Sequence, residues 1–280
     1  MDWPGLKTAV VNADDPHAVR MVRAVRQSGV SLWATTLTGV VPFQADHVVE
    51  ASQIEATEAG TRFTMTVDGV STPVRLAQVG AFNVSNFIQA AAVLLARGCD
   101  ASKLAVWAES LASPPGRMQI MRASGAPLAV VDYSHTPDAL EKALESLRPV
   151  AQARGGRLWV VFGCGGDRDA GKRPVMGGIA VRLADEVVVT SDNPRTEEPE
   201  AIVADISAGA PGARIVTDRA EAIRHAVAEA RASDVVLVAG KGHEDYQEIN
   251  GVKHHFSDAE VVREAFNERR VRMLRAAEGV

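Results

Sequence analysis

The sequence predicts an α/β protein whose second part is a doubly wound, mostly parallel sheet. Three observations lead to this prediction: short apolar runs recur after residue 127, helical segments separate them, and loops rich in glycine or charge follow them. Apolar strands that alternate with helices are typical of right-handed crossover units, which build a parallel sheet covered on both faces. The second part is therefore expected to be Rossmann-like.

A domain boundary is predicted at Pro114-Pro115-Gly116, because a double proline followed by glycine cannot continue a helix. The two predicted domains are residues 1–114 and 115–280. Strands of the second domain are predicted over five apolar runs, 128–133, 157–162, 186–190, 214–216 and 234–239.

Helices are predicted between these strands, over 175–183, 201–208 and 220–230. A further helix begins at Thr136-Pro137, where threonine is the N-cap and proline occupies the first helical position. Apolar residues repeat after it at helical spacing and predict one buried stripe, formed by Leu140, Ala143, Leu144 and Leu147.

The first domain is less regular. A strand is predicted over 7–12, a helix over 16–27, and antiparallel strands within 46–79 with a turn at Asp68-Gly69. A strong helix over 81–97 is closed by Gly98. These elements do not clearly close one sheet, so this region is expected to be an α/β domain whose beginning is missing.

Composition excludes several classes of protein. The 280 residues are 46% hydrophobic and 23% charged, and a net charge of −5 disfavours a nucleic-acid partner. The two cysteines form neither a disulfide framework nor a zinc spacing, and no apolar run reaches membrane-spanning length. The expectation is a cytoplasmic monomer that has no metal ligands in this chain and does not contact a membrane.

Ligands of open parallel sheets bind at the carboxyl ends of the strands, so the loops there are candidate sites. The first loop is Asp132–Pro137, in which a carboxylate and the nearby His135 can hold a ribose hydroxyl and a phosphate or base edge. The alternative is that Thr136 simply caps a helix and His135 is a surface residue. The motif alone favours neither.

The second loop, Gly163–Arg173, has features of two nucleotide-binding motifs. Residues 166–172 have the spacing of a phosphate-binding loop, but Arg173 stands where the Mg²⁺-binding hydroxyl is required. Its opening Gly-x-Gly suggests a dinucleotide-binding oxidoreductase, but Arg168 occupies the third glycine position. Both interpretations fail, which leaves a flexible loop that presents Arg168 beside two carboxylates, as suits a zwitterionic ligand.

The third loop contains Asp192-Asn193-Pro194-Arg195, and an arginine held by a rigid loop can bind a carboxylate through two parallel hydrogen bonds. The alternative is a turn before an acidic helix start. The fourth loop is Gly240–Tyr246, where Glu244 can receive an ammonium group, and its alternative is an ordinary glycine turn. The pair His254-His255 is interpreted as structural, on a hairpin strand.

Together these loops resemble the Mur ligase family, in the order in which the family carries them. Three earlier segments also match, at Asn12–Asp15, Gly80–Asn86 and Gly116–Met118, so the resemblance covers nearly the whole chain. It implies that residues 1–114 are part of the central ATPase domain without its phosphate loop. Residues 115–280 would be the family's C-terminal domain.

The resemblance also implies a reaction, ATP-dependent amide synthesis in the making of peptidoglycan. ATP phosphorylates a glutamate carboxylate, and an amino-acid amine attacks the acyl phosphate. Within the family, Asp-Asn-Pro-Arg is typical of members that add meso-diaminopimelate to UDP-N-acetylmuramoyl-L-alanyl-D-glutamate. Diaminopimelate differs from lysine by a second, distal carboxylate, for which Arg168 and Arg195 are suited, while Glu244 and the Gly240 backbone suit the distal ammonium.

The resemblance therefore implies two sets of site residues. The diaminopimelate set is Arg168, Asp192, Asn193, Pro194, Arg195, Gly240 and Glu244. The nucleotide set is Asn83, Asn86, Arg117, Asp132 and His135, with Asp132 near the ribose.

The chain departs from the family pattern in two ways. The phosphate loop, the Mg²⁺-binding glutamate and a modified lysine of the family precede the point where this sequence begins, and Gln119 replaces a common glutamate. The cofactors are expected to be ATP and Mg²⁺, with the main ligands upstream, and this chain alone is expected to be inactive. The alternatives are a non-catalytic amino-acid-binding module and a lysine-adding ligase.

Overall fold

The computed structural model describes residues 5–25, 29–57 and 59–277. The chain forms two compact units, residues 1–112 and 113–280, which are described separately below. The division lies two residues before the predicted boundary. Among the described residues, no helix combines the length and the apolar character needed to cross a membrane.

The first unit contains one five-stranded sheet, whose strands lie in chain order. The strands are β1 (Thr8–Asn12), β2 (Ser31–Thr36), β3 (His47–Thr57), β4 (Gly60–Val67) and β5 (Val70–Leu76). Strands β1, β2 and β3 are parallel, and β3, β4 and β5 are antiparallel. The predicted first strand and the predicted antiparallel region are confirmed, including the turn between β4 and β5.

Strand β2 was not predicted, and it corrects the expectation that these elements do not close a sheet. It pairs with β1 on one side and β3 on the other, and so joins the two predicted regions. Residues of β2 are buried on both faces, so the strand lacks the alternation of apolar and polar residues by which a half-exposed strand is recognised.

Within the described ranges, three helices accompany this sheet: α1 (Ala18–Val25), α2 (Ala81–Leu95) and α3 (Ala101–Ala108). Helices α2 and α3 share a core with the sheet, in which Phe63 packs edge-on against Phe87. Helix α1 begins two residues later than predicted, and the end of its predicted span, residues 26 and 27, lies outside the described residues. Helix α3 was not predicted, although Asp100 caps it by accepting a hydrogen bond from the Ser102 backbone.

The second unit contains a six-stranded sheet with the order β10-β9-β8-β11-β7-β6. Its strands are β6 (Gln119–Met121), β7 (Leu128–Asp132), β8 (Leu158–Phe162), β9 (Glu186–Val189), β10 (Arg214–Ile215) and β11 (Val235–Ala239). All neighbours are parallel except β6 and β7. The predicted doubly wound, mostly parallel sheet is confirmed.

Five helices and a hairpin complete the second unit as far as the structure describes it, up to residue 277. They are α4 (Pro137–Ala153), α5 (Lys172–Leu183), α6 (Pro199–Ala208), α7 (Arg219–Glu229), α8 (Asp258–Ala277), and the strands β12 (Tyr246–Ile249) and β13 (Val252–His255). Helices α7 and α8 pack on one face of the sheet, and α4, α5 and α6 on the other. The hairpin position of His254-His255 is confirmed, and His255 forms an exposed ion pair with Glu260 at 2.7 Å.

The strand order decides where a ligand can bind in this unit. Strand β11 lies between β7 and β8, although it follows both in sequence. The loops after β7, β8, β9 and β11 consequently leave the same edge of the sheet as neighbours. These are the four loops that the sequence marks as candidate sites.

Candidate functional site

A cavity of about 470 Å³ lies at the carboxyl ends of these strands. Every residue of the predicted diaminopimelate set lines this cavity except Pro194. Side chains from four separate loops, including Arg168, Asp192 and Glu244, thus face one space. His135 of the predicted nucleotide set also contributes to the wall.

The loops after β8 and β9 are held together by a close backbone approach. The Gly166 amide donates to the Asn193 carbonyl at 2.9 Å. A Cβ atom on Gly166 would lie 1.9 Å from the Pro194 carbonyl oxygen, so only glycine fits. Pro194 does not line the cavity, but its carbonyl packs against Gly166 in the loop that carries Arg168.

Gly166→Ala is expected to destabilise the second unit by about 1–3 kcal/mol, because the added methyl group must push the two loops apart. Urea unfolding would measure the loss. Gly178→Ala is the matched control, since a Cβ there lies 3.8 Å from its nearest neighbour within helix α5. The control should be neutral or slightly stabilising, as alanine favours helix. Equal stability of the two variants would contradict the proposed close approach.

The two candidate arginines differ in how they are held. Arg195 has a positive φ of 54°, and its guanidinium is held by two partners. Its Nη1 donates to the Gly166 carbonyl at 2.7 Å, and its Nε lies 3.4 Å from Glu248 Oε2. Arg168 is exposed and has no hydrogen-bond or ion-pair partner within the described part of the chain. One guanidinium is thus preorganised, and the other is available to a ligand.

A fully buried lysine, Lys241, lies under the cavity. Its Nζ donates to Asn193 Oδ1 at 2.8 Å and lies 3.4 Å from Glu244 Oε2 and 3.8 Å from Asp192 Oδ1. Burial lowers the pKa of Lys241, and the neighbouring carboxylates oppose that effect. The sequence reasoning missed this residue, although a lysine between two glycines after a wholly apolar strand was a usable signal.

A second buried cation, Arg219, is hydrogen-bonded to the starts of the loops after β9 and β11. The Arg219 guanidinium forms two bonds with the Asp258 carboxylate, at 2.7 and 2.8 Å, and both side chains are buried. It also donates to the carbonyls of Ser191 and Ala239, the residues directly before Asp192 and Gly240. The sequence alone did not indicate this pair, because its members are far apart in the chain.

Two of the three predicted nucleotide residues of the second unit, Arg117 and His135, contact the Tyr133 ring. The Arg117 guanidinium lies 4.6 Å from the Tyr133 ring centre, and the His135 ring packs edge-on against the same ring at 4.6 Å. Burial, and then the charge of Glu244, raises the pKa of Tyr133. A cation and two aromatic rings therefore form one group at the cavity, whose wall includes Tyr133 and His135.

Asp132 is engaged by its own unit. One oxygen accepts from the Met118 amide at 2.7 Å, and the other accepts from the Ser134 amide at 3.0 Å and from the Ser134 hydroxyl. Gln119, the departure from the family pattern, accepts from the Gly116 amide at 2.9 Å. Both side chains thus fix the segment that begins this unit.

The remaining predicted positions are as follows. Thr136 caps helix α4 by accepting from the Ala139 amide, as the structural alternative predicts, and His135 is an exposed residue that also lines the cavity. Asn83 and Asn86 lie in helix α2 of the first unit, where the Asn83 amide donates to the Val79 carbonyl and Asn86 is exposed.

Cys164 lines the cavity, and burial raises the pKa of its thiol to about 11, so it is protonated at neutral pH. Within the described ranges, no group of three or more His, Cys, Asp or Glu side chains is arranged to hold a metal ion.

Comparisons with known proteins agree with this architecture. Residues 3–94 match the Mur ligase middle domain, and residues 116–242 match the glutamate ligase domain of Mur ligases. The chain belongs to the Mur ligase family.

Particular members of that family are similar over almost the whole chain. UDP-N-acetylmuramoyl-L-alanyl-D-glutamate--2,6-diaminopimelate ligase of Acidovorax sp. (strain JS42) is 49% identical over 96% of this chain and 53% of that protein. The protein of the same name from Janthinobacterium sp. (strain Marseille) is 48% identical over 92% of this chain and 52% of its own length. A solved structure of a ligase with this name has a TM-score of 0.70 at 42% identity, over 95% of this chain and 54% of that one. The chain thus spans about half the length of the curated relatives it matches.

Proposed function

We propose that this chain carries the amino-acid-binding site of an ATP-dependent ligase that adds meso-diaminopimelate to UDP-N-acetylmuramoyl-L-alanyl-D-glutamate. The observation that carries the proposal is one cavity in which Arg168 and Arg195 face Asp192 and Glu244. The names of the relatives support the same reaction.

The charges in the cavity suit the distal end of diaminopimelate. Arg195 is held by Gly166 and Glu248 in a fixed orientation, and the Arg168 guanidinium has no partner among the described residues, so both are suited to a carboxylate. Glu244 is the proposed partner of the distal ammonium. Lysine carries the ammonium without the distal carboxylate, so a lysine-adding site does not need these arginines.

The group around Tyr133 fits a nucleotide. Arg117 and His135 offer charge and a ring face, and such groups bind bases and phosphates. We assign these two residues to ATP, which would supply the phosphoryl group that activates the glutamate carboxylate. Among the described residues, Asp132 Oδ2 accepts one hydrogen bond, from the Met118 amide, and it has a second acceptor position for a ribose hydroxyl. Asn83 and Asn86 stay predictions from the family resemblance. We propose no Mg²⁺ ligand among the described residues, since none are grouped to hold a metal ion.

Calorimetric titration of the 280-residue chain tests the proposal. Meso-diaminopimelate is expected to bind at least tenfold more tightly than lysine, because the distal carboxylate adds charge-assisted hydrogen bonds of about 1.5–3 kcal/mol. Equal affinities would favour a lysine-adding ligase. No binding of either amino acid would refute the assigned site. The non-catalytic module is tested separately, by adding the UDP-dipeptide, meso-diaminopimelate, ATP and Mg²⁺ to an enzyme of full family length that contains this chain and measuring ADP release.

A further inference from the structure

Lys241 is fully buried beside the cavity, which is an unfavourable position for a charged side chain. Transferring a lysine ammonium out of water costs several kcal/mol, so an apolar residue would fill the same space at a lower cost in desolvation free energy. Each of its three polar neighbours, Asn193, Asp192 and Glu244, lines the cavity. The Lys241 ammonium thus lies directly behind three side chains that line the cavity.

The bonds of Lys241 decide the orientation of the Asn193 amide. Asn193 Oδ1 accepts from Lys241 Nζ at 2.8 Å and from the Glu248 amide at 3.0 Å. Because both partners are donors, the oxygen of Asn193 must face them. Its Nδ2 is therefore directed to Glu244 Oε2, at 2.9 Å.

The Glu244 carboxylate is oriented as a consequence. Its Oε2 receives both the Asn193 amide and the Lys241 ammonium, at 2.9 and 3.4 Å. Its Oε1 has no hydrogen-bond partner among the residues that the structure describes, and the side chain lines the cavity. One carboxylate oxygen is thus anchored, and the other remains for a ligand.

The same network connects Glu244 with Arg195. The Glu248 amide is bonded to Asn193 Oδ1, the Glu248 carbonyl accepts from the Arg195 amide at 3.0 Å, and the Glu248 carboxylate lies 3.4 Å from Arg195 Nε. The hydrogen bonds of Lys241 thus connect Glu244, the proposed partner of the ammonium, with Arg195, the proposed partner of the carboxylate. The distal carbon of diaminopimelate carries both an ammonium and a carboxylate. Two partners at fixed positions, together with a fixed direction of the ligand chain, would fit one configuration of that carbon better than the other.

We propose that Lys241 is a positioning residue that sets the stereochemical preference of the cavity, by aligning Glu244 with Arg195 around the distal carbon of diaminopimelate. The inference rests on the proposed function and deepens it. The selected configuration is the meso form, and the LL isomer, in which the ammonium and the hydrogen of the distal carbon exchange places, is disfavoured.

The test is calorimetric titration of the full 280-residue chain with meso- and LL-diaminopimelate. Lys241→Met keeps an unbranched side chain that is one atom shorter and removes the ammonium group. It is expected to weaken meso-diaminopimelate binding about tenfold, the effect of losing one charge-assisted interaction, and to bring the ratio of the two affinities towards one. Lys253→Met is the matched control, since Lys253 is exposed and lies 3.9 Å from the Tyr246 ring centre, which the Lys241 ammonium also approaches, at 5.6 Å. It should leave both affinities unchanged.

The possible outcomes separate the two proposals. If Lys241→Met folds and keeps the meso-to-LL ratio of the unaltered chain, Lys241 is merely structural and the inference is overturned, even where both affinities fall together. If that variant does not fold, Asn193→Asp decides, because it keeps an oxygen for Lys241 but places a second carboxylate against Glu244. An unchanged ratio in Asn193→Asp overturns the inference, and a ratio near one supports it. Failure of the unaltered chain to bind either isomer instead overturns the proposed function.

Discussion

Arg195→Ala is expected to weaken meso-diaminopimelate binding by about 10- to 100-fold while lysine binding stays unchanged. The guanidinium is preorganised by the Gly166 carbonyl and the Glu248 carboxylate, so little side-chain entropy is lost when a ligand carboxylate binds. Lysine lacks the distal carboxylate and cannot use this contact. Calorimetry with both amino acids would measure the change in preference.

Two further variants make this experiment specific. Arg195→Lys keeps the charge but loses the planar fork, so an intermediate affinity is expected. Arg182→Ala is the control, because Arg182 is a half-exposed arginine of helix α5 that pairs with Glu141 outside the cavity. An unaltered preference for diaminopimelate over lysine in Arg195→Ala would show that another residue reads the distal carboxylate.

Asp258→Asn is expected to destabilise the second unit by about 3–5 kcal/mol. The substitution keeps the size of the side chain but leaves the Arg219 charge without its partner at a site from which water is excluded. Arg219 also bonds the carbonyls that precede Asp192 and Gly240, so the cavity should lose diaminopimelate affinity as well. Urea unfolding would measure the first effect and calorimetry the second.

The chain offers a matched comparison for this pair. Glu264 also lies on helix α8 and also pairs with an arginine of helix α7, Arg224, but both of these side chains are solvent-accessible. Glu264→Gln is expected to cost less than about 1 kcal/mol, since water and salt screen an exposed pair. A similar loss for Asp258→Asn would mean that the buried pair contributes little, and its assigned support of the two loops would be wrong.

The sequence predicted the elements of the second unit well, because buried parallel strands leave a strong local signal. The runs that became β7, β8, β9 and β11 are short, apolar and bounded by glycine or charged residues. Elements without such a signal were missed. Helix α8 is polar over most of its length, and strand β6 has only three residues.

The candidate site was predicted in the same uneven way. Residues in the loops that follow the strands, such as Arg195 and Glu244, were indicated by position, because the carboxyl ends of parallel strands meet at one edge. Residues whose role depends on a distant partner were not indicated. Arg219 and Asp258 are 39 residues apart, and nothing near either one shows that they pair.

By itself, the sequence determined which loops carry charge and which family the chain resembles, since both are properties of local order along the chain. Only the tertiary structure decided which of those charges are free. Arg195 and Arg168 are the same residue type, yet one is tied to Gly166 and Glu248 and the other has no partner within the described chain. The physical reason is that hydrogen bonding and desolvation depend on neighbours brought together by the sheet, and sequence spacing does not record them.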